Sequence, residues 1–105
     1  MSPERVVAAR AALQAPRACV SRRYTVTVAG GPVRSVTFSV NGRRVRTLTA
    51  RPGQRRFSVR LSPRQAVDRV VARVRFRSNA SPQSRTLRAT VRRCARAGVS
   101  PEFTG

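Results

Sequence analysis

From residue 22 onward, apolar and polar side chains alternate with a period of two, and Gly, Pro or Asn interrupts the alternation at regular short intervals. Successive side chains leave a pleated strand on opposite faces, so this pattern describes strands with one buried and one wet side. Tyr24, Val26 and Val28 share one face and Thr25 and Thr27 the other, before Gly30, Gly31 and Pro32 end the run. Val36, Phe38 and Val40 then alternate with Ser35, Thr37 and Ser39 up to Asn41-Gly42. That dipeptide tolerates positive φ at both positions and suits a type I′ hairpin turn, so a strand from Arg43 to Ala50 should return antiparallel.

Pro52 and Gly53 mark the next turn, and Phe57, Val59 and Leu61 alternate with Arg56, Ser58 and Arg60 until Ser62-Pro63. The longest run places Val70, Ala72, Val74 and Phe76 on one face and Arg69, Val71, Arg73, Arg75 and Arg77 on the other. After a turn at Asn79 to Pro82, Leu87, Ala89 and Val91 alternate with Arg88, Thr90 and Arg92. Parity fails at Arg93-Cys94, where a bulge or strand end is expected. Several strands joined by short turns, in a chain of 105 residues rich in Val, predict a single all-β domain, either a sandwich or a small barrel.

The opening segment reads differently. Ser2, Pro3 and Glu4 have the form of a helix start, Val6, Ala9 and Leu13 fall on one helical face, and Pro16 is a stop. A helix this short with so thin an apolar stripe is marginal alone, so residues 1–18 are read as a short helical or disordered leader. Arg5 and Arg10 interrupt its apolar stretch, which argues against a signal-peptide core and against a membrane span. If the protein is exported, its signal is expected to lie outside this chain.

The formal net charge is +20, all 23 basic residues are Arg, and Glu4, Asp68 and Glu102 are the acids, read as lying in the leader, a loop and the tail. The all-Arg bias fits either selection for forked anion contacts or the codon usage of a GC-rich genome. So strong a positive potential makes polyanions the natural partners. The chain has no His, and two cysteines with scattered carboxylates cannot supply a four-ligand zinc site, so no metal or other cofactor is expected. No carboxylate pair, nucleophile elbow or phosphate loop is present, and the expected class is a non-enzyme. Cys19 and Cys94 bracket the strands and are read as a structural disulfide, which implies an oxidising compartment; two buried free thiols are the alternative. Asn79-Ala80-Ser81 fits a glycosylation sequon, a match too short to weigh.

Arg69, Arg73, Arg75 and Arg77, with Arg88 and Arg92 on the neighbouring strand if the two pair, would pave one sheet face with guanidinium groups, a candidate polyanion surface. Tyr24, Phe38, Phe57 and Phe76 are all expected to point inward, leaving Phe103 free, so the face lacks the aromatic platforms on which single-stranded nucleic acids stack.

Cys19 before a strand, Val36-Thr37-Phe38, Val40-Asn41-Gly42-Arg43-Arg44-Val45, Val71 to Phe76, Thr86-Leu87, Arg93-Cys94-Ala95-Arg96 and the closing Pro101 to Gly105 together resemble the immunoglobulin-like modules of exported and cell-surface proteins of actinobacteria. The resemblance covers residues 19–105 and implies an immunoglobulin-like β-sandwich of about seven antiparallel strands over residues 19–100, with a tail at 101–105. It further implies a terminal cysteine staple, an extracellular or cell-surface location, and a spacer or adhesion role beside other domains of a parent protein; the Arg face of such a module is expected to rest near anionic cell-wall polymers or lipid head groups. It carries over no active site. The chain departs from antibody-type domains in lacking Trp and in placing its cysteines at the domain ends. A basic nucleic-acid-binding β-barrel module is the alternative expectation.

Overall fold

The computed structural model describes residues 7–94. The chain runs through β1 (Val7–Ala8), β2 (Arg10–Gln14), β3 (Tyr24–Gly31), β4 (Val33–Val40), β5 (Arg43–Thr49), β6 (Arg56–Leu61), β7 (Val67–Phe76), β8 (Ala80–Ser81) and β9 (Ser84–Arg92). Seven of these form two antiparallel sheets, ordered β2-β3-β6 and β5-β4-β7-β9, while β1 and β8 make a two-residue parallel pair. The domain is a β-sandwich, and the barrel architecture of the alternative reading is not the one formed.

The core lies between the sheets and follows the alternation in the sequence. Val26, Val28, Phe57 and Val59 face inward from one sheet, and Val36, Phe38, Val40, Val70, Ala72, Val74 and Val91 from the other, all buried. Cross-strand register sets the large Phe38 opposite the small Ala72, and Val36 opposite Val74. Such pairing fills the space between sheets without crowding the adjacent strands. The hairpin at Asn41-Gly42 forms as expected, with φ of 52° and 85°, and Gly53 has φ of 77° in the turn after β5. Strand β9 ends at Arg92, just before the parity break at Arg93-Cys94.

Two expectations are corrected. The described part of the leader is strand, not helix: β2 pairs with β3 from Arg10↔Gly31 to Gln14↔Thr27, and Ala11 and Leu13 pack against the core. Pairing along the free edge of β3 outweighs a helix that was marginal alone. The backbones of β2 and β3 approach closely at Gly30, where a Cβ would collide with the Arg10 carbonyl oxygen. The helix-start residues Ser2, Pro3 and Glu4, with Val6, and the tail at 101–105, including Glu102 and Phe103, lie outside the described residues.

The second correction concerns Asp68, which sits on β7 facing the core rather than in a loop, and is 1% exposed. Its carboxylate accepts hydrogen bonds from the Tyr24 hydroxyl (2.9 Å), Asn41 Nδ2 (3.0 Å) and the backbone amides of Arg64 (3.1 Å) and Gln65 (3.0 Å). Asn41 in turn accepts from the Arg69 amide at 2.9 Å and donates its own amide to the Arg69 carbonyl at 2.9 Å. Burial alone would push the Asp68 carboxyl up, but the hydrogen bonds, led by that of Asn41, outweigh it and hold the group below the ordinary carboxylate range. Tyr24 is pushed well above its ordinary value by burial and by its bond to this anion.

Close to Asp68, Cys19 and Cys94 form a disulfide that joins Cα atoms 4.8 Å apart across a sequence separation of 75. Backbone bonds from Val20 to the Arg92 carbonyl and from Cys94 to the Val20 carbonyl, both 2.8 Å, reinforce it. In the chain-entropy account, closing so long a loop stabilises the fold by about 4 kcal/mol.

Replacing both cysteines by serine is expected to lower the unfolding free energy in urea by roughly 2–5 kcal/mol. Alkylation of native protein without reductant should label neither position. Asp68→Ala should lower stability by roughly 2–4 kcal/mol, because two side-chain and two backbone donors lose their acceptor. Since the folded carboxyl titrates below its unfolded counterpart, its stabilisation is complete above the ordinary carboxylate range and is lost as pH falls through the folded pKa. Urea midpoints should therefore decline in acid for the wild type and decline less for Asp68→Asn.

Candidate polyanion-binding face

The outward positions of the four-stranded sheet come from β4, β5, β7 and β9, and their register decides which side chains meet. Arg75 on β7 lies between Ser35 on β4 and Ser84 on β9. One pleat further, Arg73 lies between Thr37 and Thr86, and Thr37 in turn faces Thr47 on β5. On the next row Arg44, Ser39, Val71 and Arg88 run across the sheet from β5 to β9. Each arginine on these rows is thus directly opposite a hydroxyl or Val71, never another arginine. Like charges directly opposite would destabilise the ladder, and interleaving avoids that cost while keeping the charge on the face.

These rows form a shallow trough of about 810 Å³. Same-side residues along a strand repeat about every 6.8 Å and neighbouring strands lie about 4.8 Å apart, so the guanidinium stems are distributed on a grid of those spacings. The Thr37 and Thr47 hydroxyls are 3.2 Å apart and exposed. Among the described residues the acid is Asp68, which faces the core, so no carboxylate competes for the trough's arginines. The face offers forked donors and hydroxyls, an arrangement suited to anionic or hydroxyl-rich ligands.

Of the residues singled out from sequence, Arg73, Arg75 and Arg88 come together in the trough. Arg69 and Arg92 occupy outward register positions toward the disulfide end, opposite Thr90 and Val67, and do not line it. Arg77 departs most from expectation: it lies beyond the end of β7, its amide bonded to the Pro32 carbonyl at 3.1 Å, and it lines a different depression at the far end of the sandwich. The last residue of β7 is Phe76, so the alternation along the strand does not extend to Arg77. Arg44 was missed. The Asn41-Gly42 hairpin held the signal for it, since a two-residue turn places position 44 opposite Ser39.

Comparison with protein-family models, with curated proteins and with solved structures finds no match to this chain.

Thr86→Arg would set an arginine directly opposite Arg73 and break the interleaving. It is expected to destabilise the domain by roughly 0.5–1 kcal/mol at low ionic strength. The loss should shrink as salt is added, because the repulsion is between exposed charges. Thermal melts of the wild type and Thr86→Arg across a salt series would measure this.

Proposed function

We propose that the domain is a non-catalytic spacer or adhesion module of immunoglobulin-like type in an exported bacterial protein, and that its Arg and hydroxyl trough rests on an anionic cell-wall polymer. The observation that carries the reading is the trough itself: Arg44, Arg73, Arg75 and Arg88 converge on one sheet face, separated by Ser and Thr, with no acid beside them among the described residues. A polymer with regularly repeated anionic groups would meet several guanidinium forks at once, and weak contacts add through multivalency.

The remaining features support the same reading. Strand order β2-β3-β6 against β5-β4-β7-β9 fits an immunoglobulin-type Greek key in which the strand after the hairpin turn has joined the second sheet. The Cys19–Cys94 disulfide favours an oxidising, extracellular or cell-surface setting. No helix among the described residues is long and apolar enough to cross a membrane. A non-catalytic role fits a chain without His whose described carboxylate already accepts four hydrogen bonds. Tyr24, Phe38, Phe57 and Phe76 are buried, and the trough has no aromatic platform, which weighs against single-stranded nucleic acid as the occupant.

The test is titration of the domain with poly(glycerol phosphate) at several salt concentrations. Arg73→Ser with Arg88→Ser is expected to weaken binding by about tenfold, as loss of two charge-assisted contacts would. Arg23→Ser with Arg60→Ser removes the same charge elsewhere and should change affinity much less. Equal losses in both double variants would reduce the interaction to net charge and overturn the proposal. An oligonucleotide that binds more tightly than the wall polymer at matched charge would transfer the face to nucleic acid.

A further inference from the structure

At the end of the sandwich away from the disulfide, four arginines converge on a second depression of about 690 Å³. Arg51 and Arg55 come from the β5–β6 connection, Arg56 from the first position of β6 and Arg77 from the segment after β7, so two distant parts of the chain supply the charge. No described acid lies there. Gathering four like charges around one hollow is unfavourable through mutual repulsion, which a bound anion would relieve.

The depression is braced and open. Gln54 accepts from the Arg51 amide through Oε1 at 3.0 Å and donates from Nε2 to the Arg56 carbonyl at 2.9 Å, while its own amide bonds the Arg51 carbonyl at 3.0 Å. The Gly30 amide donates to the Arg55 carbonyl at 3.0 Å and ties the turn to β3. The turn that carries Arg51 and Arg55 and leads into Arg56 is therefore fixed before any ligand arrives, which lowers the ordering cost of binding. Gly31 and Gly53 line the hollow, and a Cβ at either would meet nothing within 4 Å. The space over their backbones is open to a small group.

We propose that this rim is a distinct site for a compact tetrahedral oxyanion carrying two charges, of the phosphate-monoester class, with Arg51, Arg55, Arg56 and Arg77 as its ligands and Gln54 as the positioning residue. Forked guanidinium donors match the paired oxygens of such a group, and four cations favour a dianion over a monoanion. None of these residues lines the trough, so the site stands independently of the wall-polymer reading.

The experiment is an amide NMR titration of the whole chain with inorganic phosphate, exchanged against chloride at constant ionic strength. Saturable shifts are expected at Gly30, Gly31, Gly53, Gln54 and Arg77. Arg51→Ser with Arg77→Ser should weaken binding at least tenfold, while Arg73→Ser with Arg88→Ser should leave it within about twofold. Gln54→Ala, which keeps every charge, should weaken it severalfold, and a spectrum unchanged away from the rim shows that each variant is folded. Dimethyl phosphate, a monoanion, should bind at least tenfold more weakly than phosphate, and glycerol 1-phosphate about as well. Shifts that spread over all arginines without saturating, a response lost in the trough variant but kept in the rim variant, or equal binding of dimethyl phosphate would each overturn the proposal.

Discussion

The Asp68 carboxylate is the point on which both sheets, the Asn41-Gly42 hairpin and the loop before β7 bear. A buried carboxylate is costly unless its oxygens are bonded, and here each receives two donors, from Tyr24 and the Arg64 amide on one side and Asn41 and the Gln65 amide on the other. None of those donors is a guanidinium, although the chain carries 23 arginines. Neutral donors fixed to three different segments, β3, the hairpin and the loop before β7, impose a geometry that a long, mobile arginine would not. They also lock register. A slip of β7 by one residue would turn Asp68 outward and Arg69 into the core, leaving the Tyr24 hydroxyl without its acceptor. The apolar positions of β7 forbid the same slip, so packing and polar bonding specify one alignment.

Directing that acid inward leaves the described surface without a counter-charge, and the fold accommodates this by register. On the β7–β9 ladder Arg69, Arg73, Arg75 and Arg88 face Thr90, Thr86, Ser84 and Val71. The hydroxyls that alternate with core residues are spacers as well as wetting groups. They separate arginines that would otherwise stand opposite one another, and so permit a face of a single sign without loss of the sheet.

Most of this fold is written in the alternation. Tyr24 to Val28, Val36 to Val40, Phe57 to Leu61 and Val70 to Phe76 point as their spacing dictates, and Asn41-Gly42 sets the hairpin. What was illegible has a common cause. Strand β2 is short, and its Ala11 and Leu13 acquire strand character only from the edge of β3, which no local pattern announces. Asp68 was hidden because charge suggests surface, although its parity with Val70, Ala72 and Val74 already assigned it to the inner face. Of the candidate face, Arg73 and Arg75 followed from parity alone, and Arg88 from parity together with the pairing of β7 and β9. Arg44 and Arg77 did not, because placing them requires knowing which strand lies beside which and where the last paired residue stops. Pairing partners are set by tertiary contacts, and periodicity within one strand carries no record of them.

The two ends of the sandwich are built to different rules. At one end the Cys19–Cys94 bond, the Val20 bridge to β9 and the Asp68 cluster tie β3, β4, β7 and β9 together by covalent and buried polar links. At the other, closure rests on the two-residue pairing of β1 with β8 and on a turn held by Gln54, around a hollow lined in part by glycine. Local opening follows the density of buried contacts, so the first end should be the last to open, while at the second the Gln54 bonds hold the rim turn in place. Charge follows the same division, with the described carboxylate at the rigid end and an arginine cluster at the open one. A module that must transmit position at one end and meet anions at the other would gain from that separation, because ligand exchange at the open rim need not disturb the bonds that hold the two sheets in register.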